Sequence, residues 1–271
     1  MNDINGIDVG SYCNKINWEA VKSSGIEFAM IKATQGHSIK NSSLYMFTDS
    51  YFHYNLNECI KYNIPSGVYH YLTATNANEA IEEANYYLSV IMPYKNKIQL
   101  WAAVDIEDID PPKYCGTLDK QTLTETAVAF LEYIRTAGFM PMLYANPNYL
   151  KYKYISEKAF SDYDIWLAHY GVKTPYQCNR MKIWQYGYTH VNGIEGDVDG
   201  DIGQFVLSDF IKPDEPVIDT SVEETQPMDN NVTLPEIHQP QNTALGNGLY
   251  TPPVDTGKGK RRNKKPLTEI K

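Results

Sequence analysis

Up to about residue 210 the chain alternates short, densely apolar runs with longer stretches whose apolar residues recur at helical spacing. Residues 6–10 (GIDVG) predict a first strand, and residues 17–25 (NWEAVKSSG) a short helix closed by a glycine. The alternation continues through a strand at 26–34 (IEFAMIKAT), a helix at 51–63 (YFHYNLNECIKYN), a strand at 66–74 (SGVYHYLTA) and a helix at 76–91 (NANEAIEEANYYLSVI). A strand at 98–107 (IQLWAAVDIE), a helix at 119–138 and a strand at 140–146 (MPMLYAN) follow. Alternation of this kind implies parallel strands joined by right-handed crossovers. After residue 146 the pattern changes, because 164–171 (DIWLAHYG), 181–187 (MKIWQYG) and 196–205 (GDVDGDIGQF) are strand-like with little helix between them. Five βα units and three further strands are enough to close a barrel, so the predicted class is a closed α/β barrel over residues 1–211. An open doubly wound sheet is the alternative.

Residues 212–271 break the pattern. From residue 213 onward they hold eight of the fifteen prolines, no Trp or Phe, and no periodic apolar stripe. Such a segment buries too little surface to offset the entropy of ordering it, and a disordered tail is expected. Its charge is blocked: no Lys or Arg occurs from Asp214 to Asp255, and the basic run KGKRRNKK then spans Lys258 to Lys265.

In parallel α/β folds ligands sit at the carboxyl ends of the strands, so the residues there carry the functional question. Asp8 lies in the first strand, Asp105 and Glu107 at the end of the fourth, and Asp199 in the last. Asp105 and Glu107 are two apart on a strand and share a face. In a closed barrel the first and last strands are neighbours, which brings four acids from three strands to one mouth. Crowding of carboxylates raises the pKa of the least solvated one. A protonated carboxyl beside an ionised one is the pair that glycoside hydrolysis uses. Tyr69, Tyr71, Tyr144, Trp166, Tyr170 and Trp184 add flat rings near the strand ends, although a ring in a strand is more often core than sugar platform. Asp108 and Asp110, just before Pro111 and Pro112, read as structural loop acids. The spacing of Asp197, Asp199 and Asp201 imitates a calcium loop, but Ile202 and Ser208 stand where that loop needs Gly and a bidentate Glu.

Composition narrows the class. Of 271 residues 13% are aromatic, including 22 Tyr, which suits a globular protein with ring-lined grooves. A formal net charge of -9 argues against a general nucleic-acid binder. The four cysteines are widely spaced with no CxxC pair, and are expected to be free thiols. The histidines show no HExxH spacing, and no metal or other cofactor is expected. No apolar run reaches the ~18 residues of a membrane span, and MNDINGIDVG lacks the regions of a signal peptide. A soluble, cytoplasmically made monomer is therefore expected.

The segments GIDVGSYCNKINWEAVKSSGIEFAMIKATQG, GVYHYL, AAVDIE, PMLYAN, IWLAHYG, KIWQYG and GIEGDVDGDIGQF resemble, in order and spacing, glycoside hydrolase family 25, the Chalaropsis-type lysozymes that include many phage endolysins. The resemblance covers about residues 4–210. It implies a modified TIM-like barrel and cleavage of the β-1,4 bond between N-acetylmuramic acid and N-acetylglucosamine in bacterial peptidoglycan. It also implies Glu107 as general acid, with Asp105 stabilising the developing cation or orienting the substrate's acetamido group, and Asp8 and Asp199 tuning the site. Lys32, Tyr69, His70, Tyr144, Trp166, Trp184 and Gln185 fall on motif positions that line the groove. One departure is KATQG for the usual KATEG, which puts Gln35 in place of a glutamate. Action on the cell wall would follow phage-induced release or another exit route. The basic tail could touch anionic wall polymers or be merely solvated. A non-catalytic wall-binding module and a metal-dependent polysaccharide deacetylase are the alternatives.

Overall fold

A computed structural model of the protein describes residues 3–36, 46–107, 114–151 and 155–211. His37, Asp108, Asp110 and the expected tail at 212–271 lie outside the described residues. Among the described residues nine strands form one sheet: β1 (Ile4–Val9), β2 (Phe28–Gln35), β3 (Phe47–Thr48), β4 (Ser66–Tyr71), β5 (Ala102–Asp105), β6 (Pro141–Ala145), β7 (Asp164–Ala168), β8 (Met181–His190) and β9 (Asp197–Gly203). The helices are α1 (Trp18–Ser23), α2 (Phe52–Lys61), α3 (Ala77–Ile91), α4 (Lys120–Thr136) and α5 (Pro147–Lys151).

Eight of the strands close on themselves, because β1 pairs with β2 on one side and with β9 on the other. The two-residue strand β3 lies antiparallel against the end of β2. Closure rules out the open doubly wound sheet and gives the predicted five βα units followed by three strands. All neighbouring pairs from β1 through β8 around the β2 side are parallel, whereas β9 runs antiparallel to both β8 and β1. A long crossover helix is needed only between parallel strands, so β9 enters after a short turn from β8.

The strands read as continuous apolar runs because both of their faces are covered. Along β5, Ala102 and Val104 point toward the helices, while Ala103 and Asp105 point into the barrel. Inside, Phe28, Met30, Tyr69, Met142, Tyr144, Trp166 and Ile183 form a packed column. Its lower end is plugged by Trp101, Phe205 and Phe210, whose ring centroids lie 4.9, 4.7 and 5.3 Å apart. Outside, α3 and α4 supply Tyr87, Leu88, Ile91, Leu123, Phe130 and Ile134 to the layer between barrel and helices. The interior is therefore a solid core with one polar end, at the carboxyl ends of the parallel strands.

Local signals set the element ends. Asn17 caps α1 by accepting from the Ala20 amide at 3.2 Å, a cap that contributes about 1 kcal/mol. Gly25 follows the helix with φ +83, a conformation that glycine adopts without a Cβ clash. The strand predicted at 66–74 stops at Tyr71, because the Thr73 amide donates to the Glu83 carboxylate rather than to a neighbouring strand. β8 runs to His190, past the predicted Gly187, by pairing with β9 through a bulge at Tyr186. Among the described residues no helix is long and apolar enough to cross a membrane. Cys13, Cys59 and Cys115 are buried and Cys178 is half-buried.

Candidate active site

The polar end of the barrel is assembled from inward positions of successive strands. In β1, Ile7 and Val9 join the helix-facing layer, so Asp8 turns inward. In β9 the same parity turns Asp199 and Asp201 inward and leaves Val198 against the helices. Asp8 and Asp199 are direct partners in the antiparallel register. β5 contributes Asp105, and Ile106, buried on the helix side, turns Glu107 back toward the mouth. The backbone carbonyl of Glu107 is held by the hydroxyl of Tyr149 from α5 and by the Cys115 thiol at 3.5 Å.

The charges of these acids act on shared neighbours. Lys32, inward on β2, has its ammonium pushed below the ordinary lysine value by burial, opposed by the charges of Asp105, Asp49, Asp8 and Glu107. Burial raises the Tyr69 phenol well above its ordinary value, reinforced by Asp8 and Asp105. Burial does the same to Tyr144, with Tyr170, Glu107, Asp105 and Asp199 adding to it. The two phenols thus stay protonated among carboxylates, which makes them hydrogen-bond donors to negative charge.

Gln185 ties three strands together. Its Nε2 donates to Asp8 Oδ2 at 3.0 Å, and its Oε1 accepts from the hydroxyls of Tyr144 at 2.8 Å and of Tyr170. The single hydroxyl proton of Tyr170 is shared between Gln185 Oε1 and Asp199 Oδ1, the latter at 3.0 Å. The amide is fully buried, so its orientation is fixed by these bonds. Lys32 Nζ donates to Gln35 Oε1 at 2.6 Å and lies 5.1 Å from the Tyr71 ring centroid.

Of the residues singled out in the sequence, Asp8, Asp105, Glu107, Asp199, Lys32, Tyr69, Tyr144 and Gln185 meet at this mouth. Three do not line it. His70 alternates with Tyr69 on β4, and is buried on the helix side between Thr34 and Glu83 with its ring stacked 5.0 Å from Phe130. Trp184 alternates with Gln185 on β8, and its indole donates outward to the His169 carbonyl at 2.9 Å. Trp166 points inward but is only 1% exposed, packs on Tyr144 and Tyr69, and donates to Asp201 at 2.9 Å, so it forms the floor beneath the site. Tyr12 and Tyr188 carry no signal in the strand-end pattern, and Asp201 enters it only as part of the rejected calcium loop. Tyr12 donates to the Asp8 carbonyl at 3.2 Å, and half-exposed Tyr188 meets Tyr170 edge-on at 5.9 Å and pairs with Asp199 in the ladder. Asp201 was reachable by the i, i+2 rule that joined Asp105 to Glu107. Among the described residues no three His, Cys, Asp or Glu side chains are grouped so as to hold a metal ion.

The family model described as glycosyl hydrolases family 25 matches residues 7–196. An autolytic lysozyme of Clostridium acetobutylicum is 28% identical over 197 residues, covering 72% of this chain and 54% of that protein. Lysozyme M1 of Streptomyces globisporus is 29% identical over 203 residues, covering 72% and 66%. The chain therefore spans about half to two thirds of the length of these curated relatives. A bacterial lysozyme of Streptomyces coelicolor of known crystal structure superposes with a TM-score of 0.63 at 23% identity, covering 78% of this chain and 96% of that one.

Proposed function

The chain belongs to glycosyl hydrolases family 25, and on that premise we propose that it is a muramidase. The bond cleaved is the β-1,4 linkage between N-acetylmuramic acid and N-acetylglucosamine in bacterial peptidoglycan. Glu107 acts as general acid, giving its proton to the leaving glycosidic oxygen. Asp105 stays ionised and stabilises the positive charge that develops at the anomeric carbon. Asp8 and Asp199 complete a ring of negative potential that favours a cationic transition state, and a low-dielectric floor of Tyr69, Tyr144 and Trp166 strengthens that field. Lys32 and Gln185 fix the geometry of the acids, while Tyr12, Tyr170 and Tyr188 offer ring faces and hydroxyls to the sugars at the rim.

The observation that carries this reading is the meeting of Asp8, Asp105 and Glu107 near the half-buried Lys32, with Asp8 bonded to Gln185 and Asp199 joined to the same glutamine through Tyr170. The protein works as a monomer on the cell wall. Glu107→Gln, a change of one atom, should abolish release of new reducing ends from purified peptidoglycan while wall binding and the circular-dichroism spectrum persist. Full turnover by that variant would overturn the assignment of the acid. Wall binding by the wild type without any release of reducing ends would instead favour the non-catalytic binding module.

A further inference from the structure

Behind the mouth lies a polar chain that touches none of the four acids. Thr34 Oγ1 is hydrogen-bonded to His70 Nδ1 at 2.7 Å, and His70 Nε2 to Glu83 Oε2 at 2.7 Å. Glu83 also accepts from the Thr73 amide at 3.1 Å and the Thr73 hydroxyl at 2.8 Å. All four residues are completely buried. A substrate cannot reach this His and Glu, so they do not act on one directly. Yet a buried polar network is costly unless every member is satisfied, and it then fixes a single geometry.

What it fixes is a bulge in β2. The parallel ladder pairs Lys32 with Tyr69 and then Thr34 with His70, which leaves Ala33 as an extra residue. Ala33 and Thr34 consequently both face the helix layer, where Ala33 packs in the core and Thr34 meets His70. The carbonyl of Ala33 is taken by the Asp49 amide at 2.8 Å. Regular alternation would put Gln35 on the helix side. The extra residue reverses its phase, so Gln35 turns back to the mouth and receives the Lys32 ammonium at 2.6 Å. Just beyond, a Cβ on Gly36 would come within 2.2–2.4 Å of the Glu83 carboxylate, so the chain leaves the bulge pressed against the same network.

We propose that Thr34, His70 and Glu83 are positioning residues that lock the β2 bulge and thereby aim Gln35 and Lys32 at the acids of the active site. The inference rests on the muramidase reading for its catalytic consequence, but its geometric part can be measured without turnover. Thr34→Val keeps shape and removes the hydroxyl. The bulge should loosen, and Lys32 should retreat from Asp105, Asp8 and Glu107. Misplacement on this scale costs on the order of ten- to a hundredfold in kcat, with KM for wall fragments little changed. A retreating cation also raises carboxylate pKa values, so the acidic limb of the pH profile should move to higher pH.

The experiment measures kcat, KM and the pH profile on purified peptidoglycan for wild type, Thr34→Val and Thr34→Ser, together with an NMR titration of the Lys32 side chain in each. Loss of kcat, a displaced profile and a displaced Lys32 titration in Thr34→Val, all restored by Thr34→Ser, support the proposal. A folded Thr34→Val chain with all three unchanged overturns it. Should that variant not fold, Glu83→Gln carries the same expectations, being equal in size and still able to bond Thr73. If the wild type shows no turnover, the muramidase reading fails on its own, and the Lys32 titration alone decides: a shift in Thr34→Val supports the lock and no shift overturns it.

Discussion

Asp8 and Asp199 stand directly opposite each other across the antiparallel seam at which the barrel closes. Side chains so placed have Cβ atoms about 4.5–5.5 Å apart, and like charges in that position oppose folding. The pairing is thus a source of local instability kept at the site.

Replacing either member by Asn should separate stability from activity. Asp199→Asn keeps the oxygen that accepts from Tyr170 and removes the repulsion, so unfolding free energy should rise by roughly 0.2–1 kcal/mol. Release of reducing ends should fall on the order of a hundredfold, because a charge aimed at the transition state has gone. Urea denaturation and peptidoglycan turnover on the same preparation check both directions, and a rise in turnover would contradict the role given to this acid.

Tyr87 is buried against His70 and Phe130, and its hydroxyl has no hydrogen-bond partner among the described residues. A buried donor left unsatisfied costs about 1–3 kcal/mol. Tyr87→Phe is therefore expected to raise stability by about 1 kcal/mol with activity unchanged, measured by urea midpoint. A loss of stability would show that the hydroxyl is satisfied.

Alkaline pH should unfold the protein through its buried phenols. Burial holds Tyr69, Tyr87 and Tyr144 well above their ordinary value of 10.0. Above pH 10 the unfolded chain loses these protons and the folded chain keeps them, so the folded state binds more protons and stability falls as pH rises. The contribution is intact below that pH. Above it, each phenol contributes about 1.4 kcal/mol per pH unit, or roughly 4 kcal/mol per unit for three. Urea midpoints between pH 8 and 11 should bend downward near 10, and Tyr87→Phe should make that slope shallower.

Gly36→Ala should destabilise by about 1–3 kcal/mol, the usual range for overpacking. The Glu83 carboxylate that its Cβ would strike is held by His70 and Thr73 and has nowhere to retreat. Differential scanning calorimetry reads this directly, and an unchanged Tm would show that the network yields.

Much of this arrangement was legible in the chain. The strand–helix rhythm anticipated the barrel, and the two-residue repeat anticipated Asp105 with Glu107. Closure of first strand on last anticipated Asp8 with Asp199. His70 and Trp184 do not reach the groove because adjacent residues of a regularly paired strand face opposite sides, and Tyr69 and Gln185 take the inward positions. The inward turn of Gln35 was illegible for the opposite reason, since a bulge has no signature in alternation and is visible only in the register of β2 against β4. Tyr188 was hidden in the same way by the bulge at Tyr186.

The reversed direction of β9 changes what the rim can become. Loops after parallel strands are tied to the helices that follow them, but the rim beside Asp199 is a two-stranded ribbon whose turn, at Val191 and Ile194, is seated on the core, with Gly193 accepting from the Asn17 amide. Adding one residue to each arm of that ribbon would heighten the wall by about 3.4 Å and leave Asp199 in step with Asp8. Substrate choice could therefore diverge among relatives by ribbon length alone, with the reacting groups untouched.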